Sequence, residues 1–115
     1  MMKDDNFENI LKNLHRLPDF ILKFNKILSE MEISGESGAG LVKVVLNGQK
    51  DLLRIKIDES LLKEDRRIVE NLISSAIKKT NKKINIQIKS KLASAMQDMG
   101  FPESFISMLP FINNK

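Results

Sequence analysis

The sequence predicts an α+β fold, a protomer of order α-β-β-β-α with a three-stranded antiparallel sheet and two long helices. Three observations predict it. Apolar residues recur at steps of three and four near both ends of the chain, the helical spacing. The stretch between them is rich in β-branched residues and broken by Gly35, Gly38, Gly40 and Gly48, as short strands are. The whole is 115 residues with 42% hydrophobic and 30% charged side chains, which suits one globular domain. Residues 1–31 are expected as helix, 32–57 as the sheet, 58–99 as a short turn plus a long helix, and 100–115 as a tail.

The first helix rests on Phe7, Ile10, Leu14, Leu17, Ile21, Phe24, Leu28 and Met31, with Leu11 and Ile27 widening the stripe. This is a heptad-like seam. It supports two readings, an amphipathic helix packed on its own sheet or one that also meets a partner helix. The stripe runs about 40 Å at 1.5 Å per residue, more than short strands can cover. Pro18 lacks an N–H and disfavours helical geometry at Leu17, so a kink or short break is expected there. The apolar phase continues across it, which keeps one bent helix.

Leu41-Val42-Lys43-Val44-Val45-Leu46 reads as a strand, and Leu53, Ile55 and Ile57 alternate with Arg54, Lys56 and Asp58. Asn47-Gly48 between them predicts a tight hairpin of type I′, whose central positions need positive φ. Asp58 is placed to cap a short helical turn through Ser60-Leu61-Leu62, and Asp65 to cap the next helix. That helix is expected from Arg66 to Met99, its inner face marked by Val69, Leu72, Ile73, Ala76, Ile77 and Thr80, continued by Ile84, Ile88, Leu92 and Met96. Gly100 suits the position after a helix end, and Pro102 blocks continuation. The tail is apolar in patches and is expected to pack loosely or fold back.

Several functions are excluded by composition. There is no Cys, hence no disulfide framework or thiolate chemistry, and no Trp or Tyr, which weakens any model of stacked aromatic platforms. No apolar run is long enough to span a membrane, and Met1-Met2-Lys3-Asp4-Asp5-Asn6 has no apolar signal core, so a cytoplasmic location is expected. The Gly35–Gly40 stretch lacks the Lys-Ser/Thr ending of a phosphate loop and leads into a strand, so it reads as a connection between strands. Ser37 sits in no nucleophile elbow. His15 is the single histidine and lies in mid-helix, and Glu64-Asp65 reads as a helix start. No nucleophile–base pair or metal-ligand spacing can be assembled. The expectation is a non-enzymatic protein without cofactor, metal or small-molecule substrate.

The charge distribution is more telling than the net +4. Residues 1–36 carry five Lys/Arg and seven Asp/Glu, residues 37–65 carry five of each, and residues 66–115 carry nine Lys/Arg and three Asp/Glu. Lys78, Lys79, Lys82, Lys83, Lys89 and Lys91 dominate that surplus, with no acid between Asn71 and Gln97. On a helix Lys78, Lys82 and Lys89 form one stripe with Lys79 and Lys83 beside it, and like charges at i, i+4 oppose the helix. A polyanion would relieve this by exchanging counterions for lysines. The competing reading is a solvated face. If the two helices pair antiparallel, Lys12 and Arg16 gather with Lys82, Lys83, Lys89 and Lys91 at a tip away from the sheet. A two-fold dimer would have two such tips, able to straddle double-stranded DNA. Protein–protein interaction through the seam and tail, or RNA binding by the same lysines, are the alternatives.

The run Ile33-Ser34-Gly35-Glu36-Ser37-Gly38-Ala39-Gly40-Leu41-Val42-Lys43-Val44, then Asn47-Gly48, then Ile57-Asp58-Glu59-Ser60-Leu61-Leu62, resembles the central signature of the YbaB/EbfC nucleoid-associated family. Asp65, Leu72-Ile73 and Ala76 fit that family's last helix, and Phe101-Pro102 through Pro110-Phe111 echoes its ending. The resemblance covers residues 28–80 in detail. It implies an α-β-β-β-α homodimer joined through the sheet region with protruding helices, a bacterial nucleoid role, and DNA binding near the helix tips. Met2-Lys3-Asp4-Asp5-Asn6, Pro18 and the uniformly basic Lys78–Lys91 depart from the family pattern. The candidate DNA contacts Lys12, Arg16, Lys78, Lys79, Lys82, Lys83, Lys89 and Lys91 rest on charge and position alone.

Overall fold

The computed structural model describes residues 2–109. Helix α1 spans Met2–Glu30, followed by strands β1 (Ile33–Ser37), β2 (Val42–Leu46) and β3 (Leu52–Ile57). A 3-10 turn at Glu59–Lys63 leads to helix α2 (Arg66–Asp98), and a single turn, α3, covers Glu103–Ile106. The expected order α-β-β-β-α stands, with α3 as an addition in the tail. The sheet is antiparallel in the order β1-β2-β3, so β1 and β3 are both edges. Helix α1 runs through Pro18 without interruption. No helix among the described residues is long and apolar enough to cross a membrane. Pro110-Phe111, part of the family echo, lies outside the described residues.

The chain divides into two compact units, one of residues Ile27–Ile88 and the other of Met1–Lys26 with Lys89–Lys115. In the first, alternation along the strands puts Ile33, Val42, Val44 and Leu46 on one face of the sheet. They form the core with Leu61 of the 3-10 turn and Ala76 and Ile84 of α2. Burying side chains of this size contributes about 1.5–3 kcal/mol each. The contact is close because Gly35 faces Thr80. A Cβ built on Gly35 would lie 1.9 Å from Thr80 Oγ1. The Thr80 hydroxyl is fully buried and donates to the Ala76 carbonyl at 2.7 Å, and the Ser37 hydroxyl donates to the Leu72 carbonyl.

The connections carry one correction. The β1–β2 turn uses positive φ at Gly38, Ala39 and Gly40, as a glycine-rich link allows. The β2–β3 hairpin forms, but not as the expected two-residue type I′ turn. The positive φ falls on Lys50, not on Gly48. Asn47 organises the turn instead. Its Oδ1 accepts the amides of Gln49 and Asp51, and its backbone N–H donates to Asp51. Gly48 is needed for another reason: its amide donates to the Leu28 carbonyl at 2.8 Å, and a Cβ there would meet that oxygen at the same distance.

Both expected caps are present. Asp58 accepts from the Ser60 amide and hydroxyl, and Asp65 from the Arg67 amide. These bonds, the serine hydroxyl first, hold the Asp58 carboxyl below its usual range.

In the second unit Phe20, Phe24, Phe101 and Phe105 form a chain of ring contacts, each 5.6 Å between centroids. Gly100, at φ 84°, turns the chain after α2 while the Phe101 amide reaches back to the Met96 carbonyl at 2.9 Å. The tail therefore folds back: Phe101, Phe105 and Ile106 are all buried.

Candidate nucleic-acid interface

Helix α2 supplies the largest group of cations. Lys78, Lys79, Lys82 and Lys83 are exposed and belong to the unit that contains the sheet. Lys78 and Lys82, and Lys79 and Lys83, are i, i+4 neighbours of like charge, disfavouring an isolated helix by about 0.2–0.5 kcal/mol per pair. Lys78, Lys79 and Lys82 make no ion pair among the described residues, where salt bridges join Lys23 to Asp19, Arg54 to Glu32 and Arg66 to Glu70. Lys83 reaches the edge of β1, where its ammonium donates to the Ser34 carbonyl at 2.8 Å. It therefore stands beside the sheet and not at a distant tip.

The remaining predicted residues, Lys12, Arg16, Lys89 and Lys91, belong to the other unit. Lys12, Lys89 and Lys91 are exposed. Lys89 and Lys91 are two positions apart, so their side chains leave α2 about 200° apart around the axis and do not form one stripe. Lys89 extends the line of Lys78 and Lys82 in helical phase, and Lys91 does not.

Arg16 is half-buried and structurally engaged. Its guanidinium donates to the carbonyls of Met99 and Gly100 and to Asn13 Oδ1, and lies 4.3 Å from the centroid of the Phe101 ring. Helix α2 has no basic residue in its own last turn. Arg16 supplies from α1 the positive charge that a helix C-terminus favours. Sequence reading missed this because Arg16 and Gly100 are 84 positions apart.

Three further cations fall outside the predicted set. Lys43, Arg54 and Lys56 are exposed on the face of the sheet opposite the core. Their signal was present in the alternation of Val42-Lys43-Val44 and Leu53-Arg54-Ile55-Lys56. Arg54 is paired with Glu32 at 2.5 Å. Among the described residues no group of three His, Cys, Asp or Glu could hold a metal ion.

Residues 2–99 match the family model described as the YbaB/EbfC DNA-binding family. A curated relative from Hahella chejuensis, named nucleoid-associated protein, is 31% identical over 106 residues, covering 92% of this chain and 96% of the relative. A crystal structure titled as uncharacterized protein HP0035 from Helicobacter pylori aligns with a TM-score of 0.59 at 25% identity, covering 69% of this chain and 93% of that one.

Proposed function

The chain belongs to the YbaB/EbfC DNA-binding family, and from that premise we propose that it is a nucleoid-associated homodimer that binds double-stranded DNA through phosphates with little sequence preference. The observation that carries this reading is the exposed lysine row of α2, Lys78, Lys79, Lys82 and Lys83, extended in phase by Lys89 and free of any acid from Asn71 to Gln97. No arginine follows Arg67 in the sequence. Bidentate arginine on guanine is the commonest base-specific contact, whereas lysine acts as a point charge on phosphate. Backbone contacts position a protein on the duplex without reading its sequence. Lys12, Arg16 and Lys91 are assigned assisting contacts, with Arg16 limited by the carbonyls it already serves. Residence on the nucleoid, inside the cell, follows from this partner.

The proposal of a dimer is supported by β3. Among the described residues this edge strand pairs only with β2, and its Leu53 and Ile55, 41% and 42% exposed, follow at two-residue spacing with Ile57, the register partner of core residue Val42. An exposed edge with apolar side chains is a template for a second chain.

The test is a salt titration on random-sequence duplex beside a mass measurement of the free protein. If about six phosphates are neutralised per dimer, log K falls against log salt concentration with a slope of about −5. Charge reversal at Lys82 and Lys83 is expected to abolish binding and leave the mass unchanged. Salt-insensitive affinity would overturn the reading.

One observation favours a second reading, docking of another protein. Phe7, Leu11, Leu14 and Ile21 lie along one flank of α1 and stay exposed, Phe7 at 61%. Capture of a protein partner that survives nuclease treatment would support it. Competition by RNA against duplex DNA would show whether the same lysines accept either backbone.

A further inference from the structure

The sheet face opposite the core sorts its charges by strand. Register places Glu36, Lys43 and Lys56 in one row across the three strands, and Ser34, Val45 and Arg54 in the next. The acids of this face, Glu32 and Glu36, lie on or beside β1, while its cations lie on β2 and β3. Lys43 and Lys56 are directly opposed, an arrangement of like charges that weakens strand pairing. Neither makes an ion pair among the described residues, and both are exposed. A shallow hollow there is lined by Lys43, Val45, Arg54, Ile55 and Lys56. A second hollow, at the β1 edge, is lined by Ser34, Glu36, Lys43 and Lys83 among others, so Lys83 joins this face to the lysine row of α2.

We propose that this open sheet face is a second phosphate-contact surface, on which Lys43 and Lys56 take backbone phosphates of the same DNA that the α2 lysines bind. The proposal rests on the DNA-binding dimer argued above. Where two copies join at β3, the two sets of Lys43, Arg54 and Lys56 become neighbours and the acids are left at the outer β1 strands. Four adjacent strands then span about 15 Å at 4.8 Å per strand, comparable with the roughly 12 Å width of a major groove. Opposed lysines are unfavourable in the free protein and favourable once a polyanion is bound, because each phosphate neutralised releases counterions.

The experiment compares the full chain with its Lys43→Gln/Lys56→Gln variant on one random-sequence duplex across a range of salt. The variant is expected to unfold close to the temperature of the parent, since the Lys43–Lys56 repulsion is lost together with the attraction of Lys43 to Glu36 across the strands and of Lys56 to Asp58. It is also expected to bind at least tenfold more weakly, with a salt slope shallower by about 2 to 4. Glu36→Gln is expected to shift affinity the other way. In the parent, the duplex should protect Lys43 and Lys56 from acetylation. A variant with the parent's affinity and slope, together with unprotected lysines, overturns the sheet-face proposal while leaving DNA binding by α2 intact. A parent that does not retain the duplex at all overturns both.

Discussion

Arg16 shows how one side chain changes meaning between sequence and structure. Read along the chain it is one more cation near the basic helix. In the structure its donors are spent on the carbonyls that end α2, and its guanidinium carbon lies over the Phe101 ring. Arg16→Ala is therefore expected to lower stability by about 1–2 kcal/mol, from the lost helix-end charge and ring contact. Arg16→Lys should restore part of this, as thermal denaturation will read. If Arg16 served DNA alone, both variants would melt like the parent and differ only in affinity. Gly35 poses the converse case, a residue important for what it lacks. Gly35→Ala puts a methyl against the buried Thr80 hydroxyl and should cost about 1–3 kcal/mol through overpacking. Thr80→Ala in the same chain should recover much of that loss, a coupling that a double-mutant cycle measures.

At the scale of elements, what was legible in the sequence was whatever local chemistry decides. The helix of residues 66–98, both aspartate caps and the Gly100 stop follow from neighbours in the chain, and the structure has each. Asn47-Gly48 correctly announced a hairpin but not its turn, because Gly48 answers to Leu28, twenty positions away. The stripe on α1 was legible as a stripe, but not which flank would be covered. Asn13, Phe20 and Phe24 are buried, while Phe7, Leu11, Leu14 and Ile21 are not. Similarly, the lysines of α2 were legible as a run but not as two groups, since Lys83 turns to the β1 edge and Lys91 leaves the helix away from Lys89. The cap of the 3-10 turn supports a pH prediction. The Asp58 carboxyl is lowered by the Ser60 hydroxyl and amide, so its contribution is present above the unfolded value of about 3.9. It is lost as pH falls through the lower folded value. NMR titration should show the Asp58 carboxyl and Ser60 amide shifting together below that unfolded value, and Asp58→Asn should remove the transition from the Ser60 signal.

For the molecule as a whole, the sheet ends at an apolar, exposed strand. Val42, Val44 and Leu46 are sealed beneath α2, yet β3, next in the sheet, presents Leu53 and Ile55 with more than two-fifths of their surface in contact with solvent. The opposite edge is engaged, since Lys83 of α2 reaches across to the Ser34 carbonyl of β1. The proposed second chain is therefore assigned to β3, whose outer ladder groups pair with no strand among the described residues and whose apolar side chains are exposed. If the proposed dimer forms through β3, Ile55→Lys is expected to leave a monomer, as sedimentation at micromolar concentration would read, with the far-UV circular dichroism of the fold retained. Affinity for the duplex should fall with it, because the charges of one protomer must then hold DNA alone and the favourable linkage between two sets is lost. Dimers that survive Ile55→Lys and the companion Leu53→Lys would place the contact elsewhere, with the exposed flank of α1 the next surface to substitute.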